Sequence, residues 1–246
     1  MMSAVATPEQ LPAEQRVRLQ RAHERLRTAS QELQSLVATD PVKNRWAPEP
    51  APATILEAAH SELEAAYAAL TRCHAQILAR AAGTLDVVDK NQALSFSFAD
   101  LMRHHGPVSP GGVAHAFKVM QRAFPLLEPA GPIERRAVGV ATAFGGPGAR
   151  DGFEAVTRAV TGERYVFDPE LAWPERGMAL ERFVFRLSYR ERSVTLVLRE
   201  GFVSDEFITL ARKERTAEEE SQLDLLKQEM AGRVMSQPAE GVYDVA

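Results

Sequence analysis

The sequence predicts an α+β fold, with helices packed on one face of a small, mostly antiparallel sheet and an α-helical hairpin before this domain. Over the first third of the chain, apolar residues recur at intervals of three and four, which is the period of a helix. After Gly83 the period changes, and short segments alternate apolar and polar residues as strands do. We therefore expect a helical hairpin in residues 1–83 and an α+β domain in residues 84–246.

The predicted hairpin consists of two apolar stripes separated by a proline-rich loop. The first stripe runs from about Glu9 to Ala38, and the second from Thr54 to Arg80. The loop at residues 40–52 is rich in proline, which lacks a backbone donor and disfavours helix before it. A loop of this length allows the second helix to fold back on the first. The stripes indicate docking of a protein partner or formation of a homodimer through this region.

The elements predicted for the second domain follow one another closely. Residues 111–127 are expected to form a helix, residues 137–144 a strand, and residues 151–160 a second helix after a glycine-rich turn. Alternation over residues 183–198 predicts a β-hairpin. A Thr-x-x-Glu capping box at Thr216 and Glu219 predicts a C-terminal helix.

Composition narrows the classes of function. The formal net charge of −4 argues against nucleic-acid binding, which normally leaves a basic footprint. No apolar run approaches the ~18 residues of a membrane span, and the first residues do not read as a secretory signal, so we expect a cytoplasmic protein. The single cysteine, Cys73, excludes internal disulfides and a zinc site built from several cysteines.

The strongest candidate for a site is the stretch from Phe98 to Gly111, which reads F-A-D-L-M-R-H-H-G-P-V-S-P-G. Two interpretations remain open from the residues alone. His104 and His105 could project from a tight turn into a cleft, where they would bind a metal or move protons near neutral pH. Alternatively, they end a short helix, where positive charge is favoured.

A second group of histidines lies on the predicted hairpin. His60 and His74 are close to one face of its second helix. Glu57 and His60 have the Glu-x-x-His spacing of helical metal sites, but this spacing occurs once where a two-metal bundle needs it twice. We expect a surface that faces solvent or a partner.

From about residue 95 onward, the order of segments resembles the family of the E-type subunit of formylmethanofuran dehydrogenase. The segments that carry the resemblance are S-F-A-D-L-M-R-H-H-G-P-V-S-P-G-G at 97–112, R-A-V-G-V-A-T at 136–142 and A-R-D-G-F-E-A-V-T-R-A-V-T-G-E at 149–163, followed by the β-hairpin and the C-terminal tail. The family's namesake accompanies a molybdenum or tungsten enzyme that reduces carbon dioxide onto methanofuran. The resemblance implies a fold more than a function.

The chain departs from the family's motifs at the metal ligands. The family's first motif usually reads Phe-His-Gly-His-x-Cys-Pro-Gly; here His104 takes the aromatic position and His105 keeps the first histidine. Pro107 replaces the second histidine and Ser109 replaces the cysteine. Gly148 stands where a second cysteine precedes an aspartate. The resemblance therefore implies a degenerate metal site, in which His105, alone or together with His104 or His115, could hold a weakly bound transition metal.

We expect a ligand-binding cleft where the histidine turn meets the glycine-rich turn at residues 145–150. Its predicted lining residues are His104, His105, Ser109, Gly111, His115, Gly146, Gly148 and Asp151. The candidate catalytic residues are His105, Asp151 and Glu154, although Asp151 could serve as an N-cap and Glu154 as a first-turn charge.

Two hypotheses of function follow from these expectations. The first is an accessory protein that binds a small molecule, or nothing, in this cleft and docks a partner through the hairpin. The second is a metal- or histidine-dependent enzyme of unassigned reaction. In that enzyme His105 would act as acid/base or metal ligand, and Asp151 or Glu154 would orient it.

Overall fold

A computed structural model describes residues 83–246, apart from the side chains of residues 217 and 218, together with residues 20–21, 24–25, 27–29, 31, 55, 57–62 and 64–65. The chain divides into two compact units, Met1–Ile77 and Leu78–Ala246.

The described residues of the first unit are helical. Arg25 Nη2 donates to Glu62 Oε1 at 3.1 Å, and this contact joins the two helical segments. Ile55 is 47% exposed. His60 Nε2 lies 3.4 Å from Glu64 Oε1, and both side chains are largely exposed. The predicted proline-rich loop, Cys73 and His74 lie outside the described residues.

The second unit is an α+β domain, as the sequence predicts, and it contains two sheets. The three-stranded sheet has the order β2-β1-β3, and the five-stranded sheet has the order β5-β4-β6-β7-β8. The strands are β1 (Thr84–Asp89), β2 (Gln92–Ser97), β3 (Ile133–Glu134), β4 (Val138–Thr142), β5 (Tyr165–Phe167), β6 (Val184–Tyr189), β7 (Arg192–Leu198) and β8 (Tyr243–Val245).

The expectation of a mostly antiparallel sheet is wrong, because both sheets are mixed. Strand β1 pairs with β2 in antiparallel register but with β3 in parallel register. Strand β4 pairs with β6 in antiparallel register but with β5 in parallel register. A helix lies between β4 and β5 in the chain. A helical crossover of this kind places the second strand beside the first in the same direction. Strands β3 and β5 are too short to be seen by alternation alone.

The helices of the second unit are α1 (Phe98–His105), α2 (Pro110–Leu127), α3 (Pro147–Thr157), α4 (Asp205–Ala211), α5 (Ala217–Met235) and α6 (Ala239–Val242). Helix α2 is the centre of the domain, and every residue from 111 to 120 is buried. Helix α5 begins with the capping box that the sequence predicts at Thr216 and Glu219. None of the helices in the described part of the chain is long and apolar enough to cross a membrane.

Helix α3 begins four residues earlier than the sequence predicts, so part of the glycine-rich turn is its first turn. Pro147 takes the first helical position, where a missing N–H costs nothing. The glycines allow α3 to cross α2 closely. A Cβ on Gly112 would lie 2.9 Å from the backbone nitrogen of Ala149, and one on Gly152 would lie 2.8 Å from Ala116 Cβ. Real Cβ atoms essentially never come this close, so both positions need glycine.

Candidate functional site

The structure brings two of the predicted site residues, His105 and Asp151, into direct contact. His105 is the last residue of α1, a helix that starts with a capping box between Ser97 and Asp100 and stops at Gly106, whose φ is 88°. Asp151 lies in the second turn of α3. The distance from His105 Nδ1 to Asp151 Oδ2 is 2.8 Å. The two residues are 46 positions apart in the chain, so sequence proximity alone does not pair them.

The contact fixes which nitrogen of His105 remains free. An ionised carboxylate only accepts hydrogen bonds, so Nδ1 of the neutral ring carries the proton and donates it to Asp151. Nε2 then presents its lone pair. The His105 side chain is only 7% exposed, and Nε2 is buried with no hydrogen-bond partner in the described part of the chain. A lone pair held in this way can accept a proton from a ligand or coordinate a cation.

The adjacent histidine does not share this environment. His104 is exposed, whereas His105 is mostly buried. His104 therefore fits the interpretation of a positive charge near a helix C-terminus, and His105 fits the interpretation of a site. Asp151 is not the N-cap of α3, because that position belongs to Gly146.

Glu154 has a different role from the one proposed for an orienting carboxylate. It accepts hydrogen bonds from the backbone nitrogens of Val160 and Thr161 at 2.8 and 3.1 Å, and from Thr161 Oγ1 at 2.5 Å. Burial acts to raise the pKa of Glu154, but the hydrogen bonds from Thr161 and Val160 outweigh it and lower that pKa. These contacts stabilise the turn after α3, and none of them involves His105.

His115 points into the aromatic core and not toward the histidine turn. Its Nδ1 lies 2.7 Å from the hydroxyl of Tyr243 on β8, and its ring centroid lies 4.9 Å from that of Phe183. Burial lowers the pKa of His115 to about 3, so the ring is neutral at physiological pH. Burial also raises the pKa of Tyr243 well above its usual value. The pair is a structural tie between α2 and the last strand.

The remaining predicted cleft residues lie in tight packing contacts. Ser109 precedes α2 as its N-cap residue but makes no side-chain capping bond. A Cβ on Gly111 would meet the Met230 side chain, one on Gly146 would meet the ring of Phe144, and one on Gly148 would meet the backbone oxygen of Ser109.

Sequence reasoning missed two buried polar groups of α2 and its neighbours. Tyr243 is the partner of His115, and its only sequence signal is a tyrosine in an apolar C-terminal tail. Lys118 is 3% exposed, and its Nζ donates to Gln121 Oε1 at 3.1 Å. Burial lowers the pKa of Lys118 to about 8, although the charge of Glu240 partly opposes this. The sequence signal for Lys118 is a lysine in the middle of an apolar helix.

The described residues fit a metal ion poorly. They contain no group of three histidine, cysteine, aspartate or glutamate side chains that could hold one. His105 Nε2 would be a single nitrogen ligand, whereas catalytic zinc usually has three protein ligands. No family model, curated protein or solved structure matches the chain. The resemblance to the formylmethanofuran dehydrogenase family therefore stays a prediction, and function rests on the geometry of the site.

Proposed function

We propose that this chain is an accessory protein that binds a small molecule at Nε2 of His105. The observation that carries the proposal is the 2.8 Å contact of His105 Nδ1 with Asp151, combined with the buried Nε2 that has no partner in residues 83–246. A buried nitrogen without a partner costs free energy unless a ligand or an ordered water satisfies it. Asp151 holds the ring in place, so a ligand would meet a nitrogen of fixed position and tautomer.

The absence of a second reactive group at this contact favours binding over catalysis. Among the described residues, Asp151 is the only side chain hydrogen-bonded to His105, and Glu154 is committed to the turn after α3. The predicted cysteine ligands of the family are replaced by Ser109 and Gly148, which supply no thiolate. A degenerate site that keeps one oriented histidine therefore fits ligand recognition best.

A thermal-shift experiment with three proteins tests the proposal. The panel consists of inorganic phosphate, sulfate, acetate, citrate, imidazole and zinc ions, each at millimolar concentration. We expect at least one compound to raise the melting temperature of the wild type and of His104→Ala, but not of His105→Ala. His104→Ala is the matched control, because it removes the exposed neighbouring ring. A stabilising effect that persists in His105→Ala, or a panel that stabilises nothing, would overturn the proposal.

The same contact supports a second candidate function, that of a histidine-dependent enzyme. A carboxylate that orients an imidazole and stabilises its protonated form is the arrangement of general acid–base catalysis. In this alternative His105 Nε2 takes a proton from the substrate. If an activity is found, His105→Ala should abolish it, and Asp151→Asn should lower kcat more than it raises KM. Activity that survives His105→Ala would exclude this role.

We also propose that the N-terminal unit docks a protein partner or a second copy of this chain, in the cytoplasm. Support comes from the apolar stripes and from Ile55, which is 47% exposed on a helical segment. Ile55→Glu should lower the molar mass measured by light scattering, whereas Ser61→Glu, at another exposed position of the same segment, should leave it unchanged. The proposal would be contradicted if the wild type had a monomeric mass and if Ile55→Glu bound a protein partner as well as the wild type does.

A further inference from the structure

The first turns of α2 and α3 contain glycine N–H groups that make no turn, loop or cap hydrogen bond among the described residues. Gly111 and Gly112 stand in the first turn of α2, and Gly148 stands in the first turn of α3. All three residues are buried. First-turn N–H groups have no carbonyl partner within their own helix, and none of the turn, loop and cap hydrogen bonds of the described residues involves these three nitrogens. Backbone N–H groups in buried segments nearly always have a partner in the protein, in water or in a ligand, so these three N–H groups can donate to an anion at this place.

The two helix N-termini lie next to each other. A Cβ on Gly112 would be 2.9 Å from Ala149 N and 3.1 Å from Gly148 Cα, which shows how close the first turns are. Neither helix has a capping side chain or an acidic residue in its first turn. The positive ends of both helix dipoles therefore have no capping side chain, and such ends favour an anion. The carboxylate of Asp151, in the second turn of α3, is hydrogen-bonded to His105.

His105 belongs to the same junction. It ends α1 four residues before Ser109, the N-cap residue of α2, and its ring is bonded to Asp151 on α3. Its side chain is more than nine-tenths buried, and Nε2 has no partner among the described residues. Arg150, whose side chain is 55% exposed, has its Nη1 3.8 Å from Asp151 Oδ1, so its positive charge offsets the carboxylate of Asp151.

We propose that this junction binds a hydrogen phosphate group, either free phosphate or a phosphate monoester. This inference rests on the proposed function, and it names the class of ligand. The phosphate oxygens accept hydrogen bonds from the amides of Gly111, Gly112 and Gly148. The protonated oxygen donates to His105 Nε2, which can only accept while Nδ1 donates to Asp151. The tautomer therefore selects an anion that carries a proton, such as phosphate, over one that does not, such as sulfate.

An NMR titration of the ¹⁵N-labelled full chain at pH 7 tests the inference. Inorganic phosphate should shift the amides of the three glycines and the imidazole of His105 in a saturable manner. Methyl phosphate has a second pKa of about 6 and has mostly lost its proton at pH 7, so it should bind more weakly at this pH. If methyl phosphate still does not bind at pH 6, where about half of it carries the proton, the source of the group is free phosphate. Sulfate at equal ionic strength should bind about tenfold more weakly, because it has no proton to donate to Nε2.

Two variants separate the recognition of phosphate from general folding effects. His105→Phe keeps a ring but removes both nitrogens, and it should weaken phosphate binding about tenfold or more, whereas His104→Phe should not. In Asp151→Asn the new amide donates to Nδ1, so the proton of the ring moves to Nε2. The preference for phosphate over sulfate should then shrink. This variant keeps the inference testable if His105→Phe folds poorly.

The outcomes are distinct. Equal binding of sulfate and phosphate to the wild type would mean an adventitious ion only and would overturn the inference. Phosphate that leaves the three glycines unshifted, while zinc ions or imidazole shift His105, would overturn the inference and leave the proposed function standing. If no ligand shifts His105, both fall.

Discussion

The hydroxyl of Tyr243 and Nδ1 of His115 lie 2.7 Å apart in the core, although 128 residues separate them in the chain. Both side chains are fully buried, and they join the central helix α2 to the final strand β8. The pair explains why a polar residue occupies the most buried segment of α2. It also explains why the C-terminal tail is part of the fold.

Tyr243→Phe should reduce the free energy of unfolding by about 1–3 kcal/mol, because it leaves a buried imidazole nitrogen without a partner. Urea unfolding measures the change. Tyr165→Phe is the control, because no hydrogen bond of the Tyr165 hydroxyl is found in the described part of the chain and its removal should cost little. In the double variant His115→Leu/Tyr243→Phe the losses should be less than additive. Additive losses would show that the two groups do not interact.

The stability of the domain should fall as the pH is lowered from about 6.5 toward 3. The unfolded His115 binds a proton near pH 6.5, whereas burial lowers its pKa in the folded protein to about 3. Between these values the unfolded state binds more protons, so acid favours unfolding. His115→Leu should flatten this part of the curve in urea unfolding at pH 4 to 7. An unchanged slope in the variant would contradict the burial of a neutral ring.

Lys118 should reduce stability at neutral pH and cease to do so in alkali. Its pKa is lowered from 10.5 to about 8 by burial, so below pH 8 the fold must bury a charged amine. As the pH rises from 8 to 10.5, the folded protein holds the neutral amine while the unfolded chain stays charged, and stability is gained. Lys118→Met should therefore be more stable than the wild type by about 3 kcal/mol at pH 7, with the gap closing by pH 10. Urea unfolding at both pH values measures the gap, and a gap that does not change with pH would contradict the buried amine.

A matched pair of glycine substitutions tests the close crossing of α2 and α3. Replacing a helical glycine by alanine normally stabilises a protein by about 0.4–1 kcal/mol. Gly232→Ala in α5 should do so, because nothing lies within 4 Å of its added Cβ. Gly152→Ala should instead destabilise the domain by about 1–3 kcal/mol, because the new Cβ would lie 2.8 Å from Ala116 Cβ. Stabilisation by both would contradict the crossing.

Local patterns predict the local features of this fold and miss the long-range ones. The capping box at Thr216 and the period of α2 are properties of neighbouring residues, so the sequence reveals them. The parallel pairings of β3 and β5 depend on crossovers and on strands of two or three residues, which carry too few positions to show alternation. The glycine-rich turn reads as a loop because glycine lowers helix propensity, but close contact with α2 reverses that preference.

The candidate site is predictable in its parts and not in its pairing. Residue type and position identify His105 and Asp151 separately, yet only the fold places them 2.8 Å apart. The same reasoning also selects His115 and Glu154. In the fold, however, His115 packs in the core, and Glu154 accepts hydrogen bonds from the turn after α3. A single sequence cannot distinguish these cases, because all four side chains are equally capable of acting as ligands or bases.

A long-range ¹H–¹⁵N spectrum of the imidazole nitrogens of His105 tests the central claim most directly. We predict that Nδ1 of the neutral ring carries the proton and that Nε2 has the shift of an unprotonated nitrogen, which moves when inorganic phosphate is added. Asp151→Asn should exchange the two nitrogens' protonation. A protonated Nε2 in the wild type that responds to none of phosphate, imidazole or zinc ions would show that His105 is a buried structural residue.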